Sequence, residues 1–214
     1  MIATLPSPYY ERDGITIYCA DCRDVLPLLP PYKFALVTDP PYGINADKGK
    51  AHSSIRDNSD WPKSEWDSQT QPERLSNYLA LCSDAAVWGG NYYSNILPVS
   101  SGWLAWIKPE AETGFSLADM ELCWTSRPLA ARVKRYARRD GNDHPTQKPV
   151  AIMEWTLGFI PSDFIVDPFM GSGTTLRAAL NIGRNCIGIE IEERYCEIAV
   201  KRLQQSVMRF DIPA

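Results

Sequence analysis

The sequence predicts an α/β protein built on a three-layered, doubly wound, mostly parallel sheet, and two observations carry that prediction. Seven short β-rich runs alternate with helical patterns, and several of the runs are apolar throughout, as strands covered on both faces are. The runs are ITIY at 15–18, FALVT at 34–38, AAVW at 85–88, WLAWI at 103–107, MELCWT at 120–125, FIVD at 164–167 and CIGIE at 186–190. The clearest helix follows the last of them. Tyr195, Ile198, Ala199, Leu203 and Val207 form its apolar stripe, and Glu192 and Glu193 suit its first turn.

A chain of 214 residues, 44% hydrophobic and 22% charged, can bury about 70% of its unfolded surface and reads as one domain over 1–214. Its 22 Lys and Arg against 26 Asp and Glu leave a formal charge of -4, so any site for nucleic acid must be local. No apolar run approaches the roughly 18 to 20 residues of a membrane span, and the opening MIATLPSPYYERDG has no basic start followed by an apolar stretch. A soluble, cytoplasmic protein without a membrane partner is expected. Six cysteines scattered through apparent core segments point to reduced thiols. Cys19 and Cys22 have metal-like spacing, but no second pair follows and His52 and His144 are the only histidines, so no metal is expected.

Two stretches interrupt the α/β alternation. Residues 44–74 are polar with few aliphatics, and such a length without its own core reads as a mobile functional loop. Trp61 and Trp66 within it could stack on nucleic acid or pack locally. Residues 126–143 carry Arg127, Arg132, Lys134, Arg135, Arg138 and Arg139 before their first acid, Asp140. Without those six, 16 cations face 26 carboxylates, so the positive charge is concentrated there.

Four motifs could carry chemistry. Asp39-Pro40-Pro41-Tyr42 follows the strand FALVT, and the carboxyl end of a parallel strand faces the ligand crevice of an open α/β sheet. Two prolines remove N–H donors, leaving the Asp39 carboxylate and the Pro40 carbonyl as acceptors beside an aromatic face, an arrangement suited to an exocyclic amine on a flat ring. A turn without function is the plain alternative. Asp167 to Thr175, DPFMGSGTT, joins the strand FIVD to a helix. Gly171 and Gly173 allow close backbone approach, and the helix start suits an anion. Leu176 stands where a dinucleotide fingerprint has its third glycine, and no Gly-Lys-Ser/Thr follows, so neither NAD nor a P-loop is indicated. Glu190 ends CIGIE about 20 residues beyond Gly171, the separation at which an acid reaches ribose hydroxyls. In His144-Pro145-Thr146-Gln147-Lys148-Pro149, Thr146 and Lys148 suit a small anion.

Together TDPPYG, HPTQKP, DPFMGSGTT and GIE resemble the DNA amino-methyltransferases that use S-adenosyl-L-methionine, particularly their β class, over most of the chain. In that class the DPPY element precedes the FxGxG element, as Asp39 precedes Phe169 here; protein glutamine methyltransferases with NPPY run the other way. The resemblance implies a Rossmann-like methyltransferase fold of permuted motif order, acting in DNA modification such as that of restriction-modification systems. It implies that Asp39, Pro40, Pro41 and Tyr42 hold the target base, with Asp167, Phe169, Gly171, Ser172, Gly173 and Thr174 around the cofactor. Glu190 would take the ribose hydroxyls and Thr146 and Lys148 the methionine carboxylate. Asp21 and Cys22, in ADC where the family commonly has GDC, fall at the contact with the cofactor adenine. VWGGN at 87–91 and WIKP at 106–109 resemble elements lining the base pocket. Arg132, Lys134, Arg135, Arg138 and Arg139 would contact DNA phosphates. DPPY rather than SPPY favours adenine N6; cytosine N4, an RNA or small-molecule substrate and a catalytically silent DNA-binding protein are the alternatives. Only residues 126–143 are available where the family usually places a target-recognition region, so sequence reading must draw on that segment, the 44–74 loop or a partner subunit such as a second copy of the chain.

Overall fold

The computed structural model describes residues 4–43, 72–109, 118–137 and 147–205. Thr146, Arg138 and Arg139, and all of the 44–74 loop before Pro72, lie outside them; Pro72 itself opens a helix.

Among the described residues nine strands form one sheet: β1 (Tyr10–Arg12), β2 (Ile15–Cys19), β3 (Ala35–Thr38), β4 (Asp84–Trp88), β5 (Trp103–Ile107), β6 (Met120–Thr125), β7 (Arg132–Arg135), β8 (Phe164–Asp167) and β9 (Asn185–Glu190). Their order is β1-β2-β9-β8-β3-β4-β6-β5-β7. Neighbours from β2 through β9, β8 and β3 to β4 are parallel, β6 runs antiparallel to both β4 and β5, and β7 pairs parallel with β5.

The seven runs predicted as strands are all present, and the count of seven is corrected by two edge strands that carry little apolar signal. In β1 none of Tyr10, Glu11 and Arg12 is fully buried, so it has no alternating pattern to read. What was readable is the turn: Asp13 and Gly14 both have positive φ, the two-residue hairpin that Asp-Gly favours, and β1 pairs antiparallel with β2 across it. β7 is RVKR, read as a basic segment because its charges mask its backbone pairing.

Among the described residues five α-helices complete the layers: α1 (Cys22–Val25), α2 (Pro72–Leu79), α3 (Val150–Leu157), α4 (Thr174–Asn181) and α5 (Glu193–Gln204). Strand residues alternate between two cores. Ile15, Ile17, Ala35, Val37, Ala86, Trp88 and Ile165 pack with α3, α4 and α5, whereas Tyr18, Leu36, Val87, Val166, Ile187 and Ile189 pack with α1 and α2. The last helix starts where its acids predicted, but its buried side is formed by Cys196, Ala199, Arg202 and Leu203; Tyr195 and Ile198 flank it half-buried and Val207 lies outside the described residues.

Candidate active site

Between β8 and β3 the chain changes its direction of travel across the sheet: β3 leads to β4 on one side, β8 to β9 on the other. Such a switch point opens a crevice at the carboxyl ends of the strands. The two turns that the sequence singled out leave the sheet from these neighbouring strands. The Thr38 hydroxyl, last in β3, donates to Asp167 Oδ1 at 2.7 Å, while Thr175 donates to Oδ2 at 2.6 Å and the Phe169 N–H to Oδ1 at 3.1 Å. Asp167 is therefore a buried tie between the turns. Burial pushes its carboxyl up to about 6 against the pull of those donors.

On the β8 side, Gly171 (φ +49) and Gly173 (φ +77) take left-handed conformations that suit glycine. The Gly171 N–H donates to Glu190 Oε2 at 3.1 Å and the Glu192 N–H to Oε1 at 2.9 Å, so Glu190 faces the glycine turn from the end of β9. Burial outweighs these donors and lifts its carboxyl to about 7. Ser172 donates to Gln147 Oε1 at 3.2 Å, and the buried Arg202 guanidinium donates to the Ser172 hydroxyl at 3.2 Å and to Gln147 Oε1 at 2.8 Å. Thr174 opens α4, and the Phe169 ring lies 6.2 Å from that of Tyr78.

Next to Glu190, Cys19 is its register partner and the Ala20 N–H donates to the Glu190 carbonyl at 2.9 Å. Asp21 caps α1 by accepting from the Arg23 N–H and also takes the Arg23 guanidinium, which holds its carboxyl below the ordinary value. Cys22 is buried with its sulfur 3.1 Å from the Tyr78 hydroxyl.

On the β3 side, the Tyr42 hydroxyl donates to Asp39 Oδ1 and the Tyr93 hydroxyl to the Pro41 carbonyl. The Tyr42 ring stacks on Tyr92, centroids 4.8 Å apart and planes 16° off parallel. Gly89, at φ +66, passes so close that a Cβ would stand 2.0 Å from Tyr42 Cε1, which explains a glycine in VWGGN.

Lys148 lies at the DPPY turn. Its ammonium donates to Asp39 Oδ2 at 2.6 Å, to the Tyr42 hydroxyl at 3.0 Å and reaches Glu121 Oε2 at 2.9 Å. An ammonium has three N–H directions, and these three contacts engage all of them. Burial disfavours its charge, yet Asp39 and Glu121 raise its pKa. Asp39 is raised by burial, with Lys148 opposing.

Sequence reasoning missed Glu121, the second residue of β6, and Tyr92. Glu121 also accepts from Lys108 at 2.5 Å; burial would lift its carboxyl, but Lys148 and Lys108 take it down to about 2. Its role was invisible because only the antiparallel pairing of β6 with β4 brings the start of that strand to the edge where β4 ends. Of the basic segment, Arg132 and Arg135 are exposed on β7, Lys134 donates to the Ala151 carbonyl at 3.2 Å, and Arg127 pairs with Asp84 at 3.4 Å. Among the described residues no His, Cys, Asp or Glu cluster could hold a metal, and no helix is long and apolar enough to cross a membrane.

The profile of a DNA methylase family of the N6/N4 class matches residues 87–201. The type II methyltransferase M2.LlaDCHI of Lactococcus lactis subsp. cremoris is 26% identical over 253 aligned positions, which take in 94% of this chain and 93% of that protein. Among solved structures, that of an M1.HpyAVI–SAM complex superposes with a TM-score of 0.61 at 23% identity, covering 89% of this chain and 100% of the other. The cytosine-N4-specific PvuII DNA methyltransferase gives 0.64 at 15% identity, with 93% and 89% covered. Both share the fold.

Proposed function

The chain belongs to the N6/N4 family of DNA methylases, and from that premise we propose that it transfers a methyl group from S-adenosyl-L-methionine to the N6 amino group of adenine in DNA, in the cytoplasm. The observation that carries this reading is the Thr38–Asp167 contact, which joins an acceptor-rich aromatic turn to a glycine turn at one switch point.

The donor set fits the cofactor. Glu190 accepts from the Gly171 and Glu192 N–H groups and retains acceptor capacity for two ribose hydroxyls, and the glycine turn admits close approach of a nucleoside. Arg202, on Ser172 and Gln147, adds a cation at that turn. When bound, the cofactor supplies an electrophilic methyl group on a sulfonium.

A base inside a duplex cannot reach such a site, so the target nucleotide must be turned out of the stack, at a cost of a few kcal/mol. The aromatic pair Tyr42 and Tyr92 offers stacking that offsets part of it. Asp39 and the Pro40 carbonyl accept from the two amine hydrogens, drawing the nitrogen lone pair out of conjugation with the ring and aiming it at the methyl carbon. The cofactor would supply the methyl group, its sulfur keeping the bonding electron pair, and the amine proton would leave through Asp39 or to water. Most of the acceleration comes from positioning, which contributes roughly 7 to 11 kcal/mol in well-oriented reactions. Arg132 and Arg135 supply phosphate contacts from the sheet edge.

Unmethylated genomic DNA incubated with the protein and labelled S-adenosyl-L-methionine, then digested to nucleosides and resolved by mass spectrometry, tests the reading. N6-methyldeoxyadenosine is expected, with Asp39→Ala lowering the rate by about 10²- to 10⁴-fold. N4-methyldeoxycytidine instead would transfer the proposal to cytosine, and no methylated nucleoside at all would overturn it.

A further inference from the structure

Lys108, Glu121, Lys148 and Asp39 form an unbroken chain of alternating charge, with links of 2.5, 2.9 and 2.6 Å, that begins beyond the end of β5 and finishes at the DPPY turn. Its first three members are withdrawn from water: the side chains of Lys108, Glu121 and Lys148 are 8%, 23% and 3% exposed. The two ammonium groups also lie over indole rings, Lys108 5.1 Å from the Trp106 centroid and Lys148 5.2 Å from that of Trp88. We infer that Glu121 is a positioning residue for methyl transfer: shared between Lys108 and Lys148, it holds the Lys148 ammonium where that group fixes Asp39 and Tyr42 for the incoming amine. The inference rests on the methyltransferase reading and adds a residue to it.

Two physical arguments support this. A lysine ammonium sits on a flexible four-carbon stem, so a single carboxylate leaves its direction loosely defined. Glu121 supplies a second anchor, and the remaining two N–H directions then fall on Asp39 Oδ2 and the Tyr42 hydroxyl. The second argument is electrostatic. Positive charge grows on the amine nitrogen during transfer, and an uncompensated ammonium beside Asp39 would oppose it. Glu121 cancels the Lys148 charge, and Lys108 keeps Glu121 itself from being a buried, half-paired anion. A purely structural ion pair would need no contact with Asp39.

The titratable groups facing Asp39 are Tyr42 on its own turn, Lys148 ahead of α3, Glu121 and Cys123 on β6 and Asp167 at the end of β8, and Lys108 after β5 reaches it through Glu121. Glu121 raises the Asp39 carboxyl and Lys148 lowers it. Removing Glu121 therefore leaves Lys148 to Asp39 and shifts the acid limb of the rate profile to lower pH. Removing Lys108 leaves Glu121 to draw Lys148 away from Asp39 and shifts that limb to higher pH.

The test is the single-turnover rate of labelled methyl transfer to unmethylated genomic DNA from pH 4.5 to 9, for the wild type, Glu121→Gln, Glu121→Asp and Lys108→Met, with cofactor affinity measured by calorimetry. Glu121→Gln is expected to lose about 10²-fold in plateau rate, the scale of a small misplacement, with cofactor affinity unchanged and its acid limb lowered. Glu121→Asp should recover part of the rate, and Lys108→Met should raise the limb. A wild-type rate in Glu121→Gln, a reduced rate with an unmoved limb, or both limbs moving the same way overturns the inference. If Glu121→Gln does not fold, the limb of Lys108→Met decides alone, and an unmoved one overturns it. A wild type that transfers no methyl group refutes the proposed function instead, which keeps the two failures apart.

Discussion

At Glu190 burial and two backbone N–H donors act in opposite directions, and burial wins, leaving the carboxyl at about 7. On the proposed function ribose hydroxyls would donate to the ionised form, so cofactor binding should expel a proton, and affinity should rise with pH from 6 to 8 before levelling off. Calorimetry in buffers of different ionisation heat checks this, and Glu190→Gln should flatten the dependence. The same shift has a stability sign. A carboxyl whose folded value lies above its unfolded one keeps its proton longer in the native state, so its stabilising contribution is full below the unfolded value and lost as pH rises through about 7. The gap in urea midpoint between Glu190→Gln and the wild type should therefore move in favour of the variant between pH 5 and 8. Glu190 was legible from its spacing to Gly171. Glu121 was not, because nothing in MELCWT distinguishes a solvated acid from one clamped between two lysines.

The entry into α4 shows how an element carries a sequence signal. Gly173 combines φ +77 with a neighbour that leaves no room, since a Cβ would stand 2.7 Å from Ala199 Cβ on α5. Gly171 has a positive φ of +49 but open space around it. Gly173→Ala should cost about 1–3 kcal/mol by strain, more if α5 must shift, while Gly171→Ala should cost about 1–2 kcal/mol from the backbone alone. Denaturant unfolding of the two variants ranks them, and equal losses would mean that the contact with α5 yields freely. The glycine turn was readable because strand, glycines and helix follow one another directly. β1 and β7 were not, because edge strands need only half a buried surface and theirs is mostly polar.

For the whole molecule, the clustering of cations against a net charge of -4 directs where DNA can approach. β7 lies at one end of the sheet; Arg132 and Arg135 on it are exposed, and Lys134 donates to the Ala151 carbonyl and lies over the Tyr136 and Trp155 rings. Replacing Arg132 and Arg135 with glutamine should flatten the salt dependence of DNA binding, by about 0.9 in log–log slope for each phosphate that is no longer neutralised. Lys134→Gln should change it less. Fluorescence anisotropy with labelled duplex at several salt concentrations measures both; a larger effect at Lys134 would put the phosphates at Lys134 rather than at the two arginines.

By itself the amino-acid sequence determined the seven apolar strands, the α/β class, both turns at the switch point and the acid across from the glycines, since each of these is written in residues close together along the chain. Which turns share a crevice, and where Lys148 spends its charge, only the tertiary structure decided. Thr38 meets Asp167 across 129 positions and Lys148 meets Asp39 across 109. Contacts at such range depend on strand order and pairing direction, which local propensity does not encode.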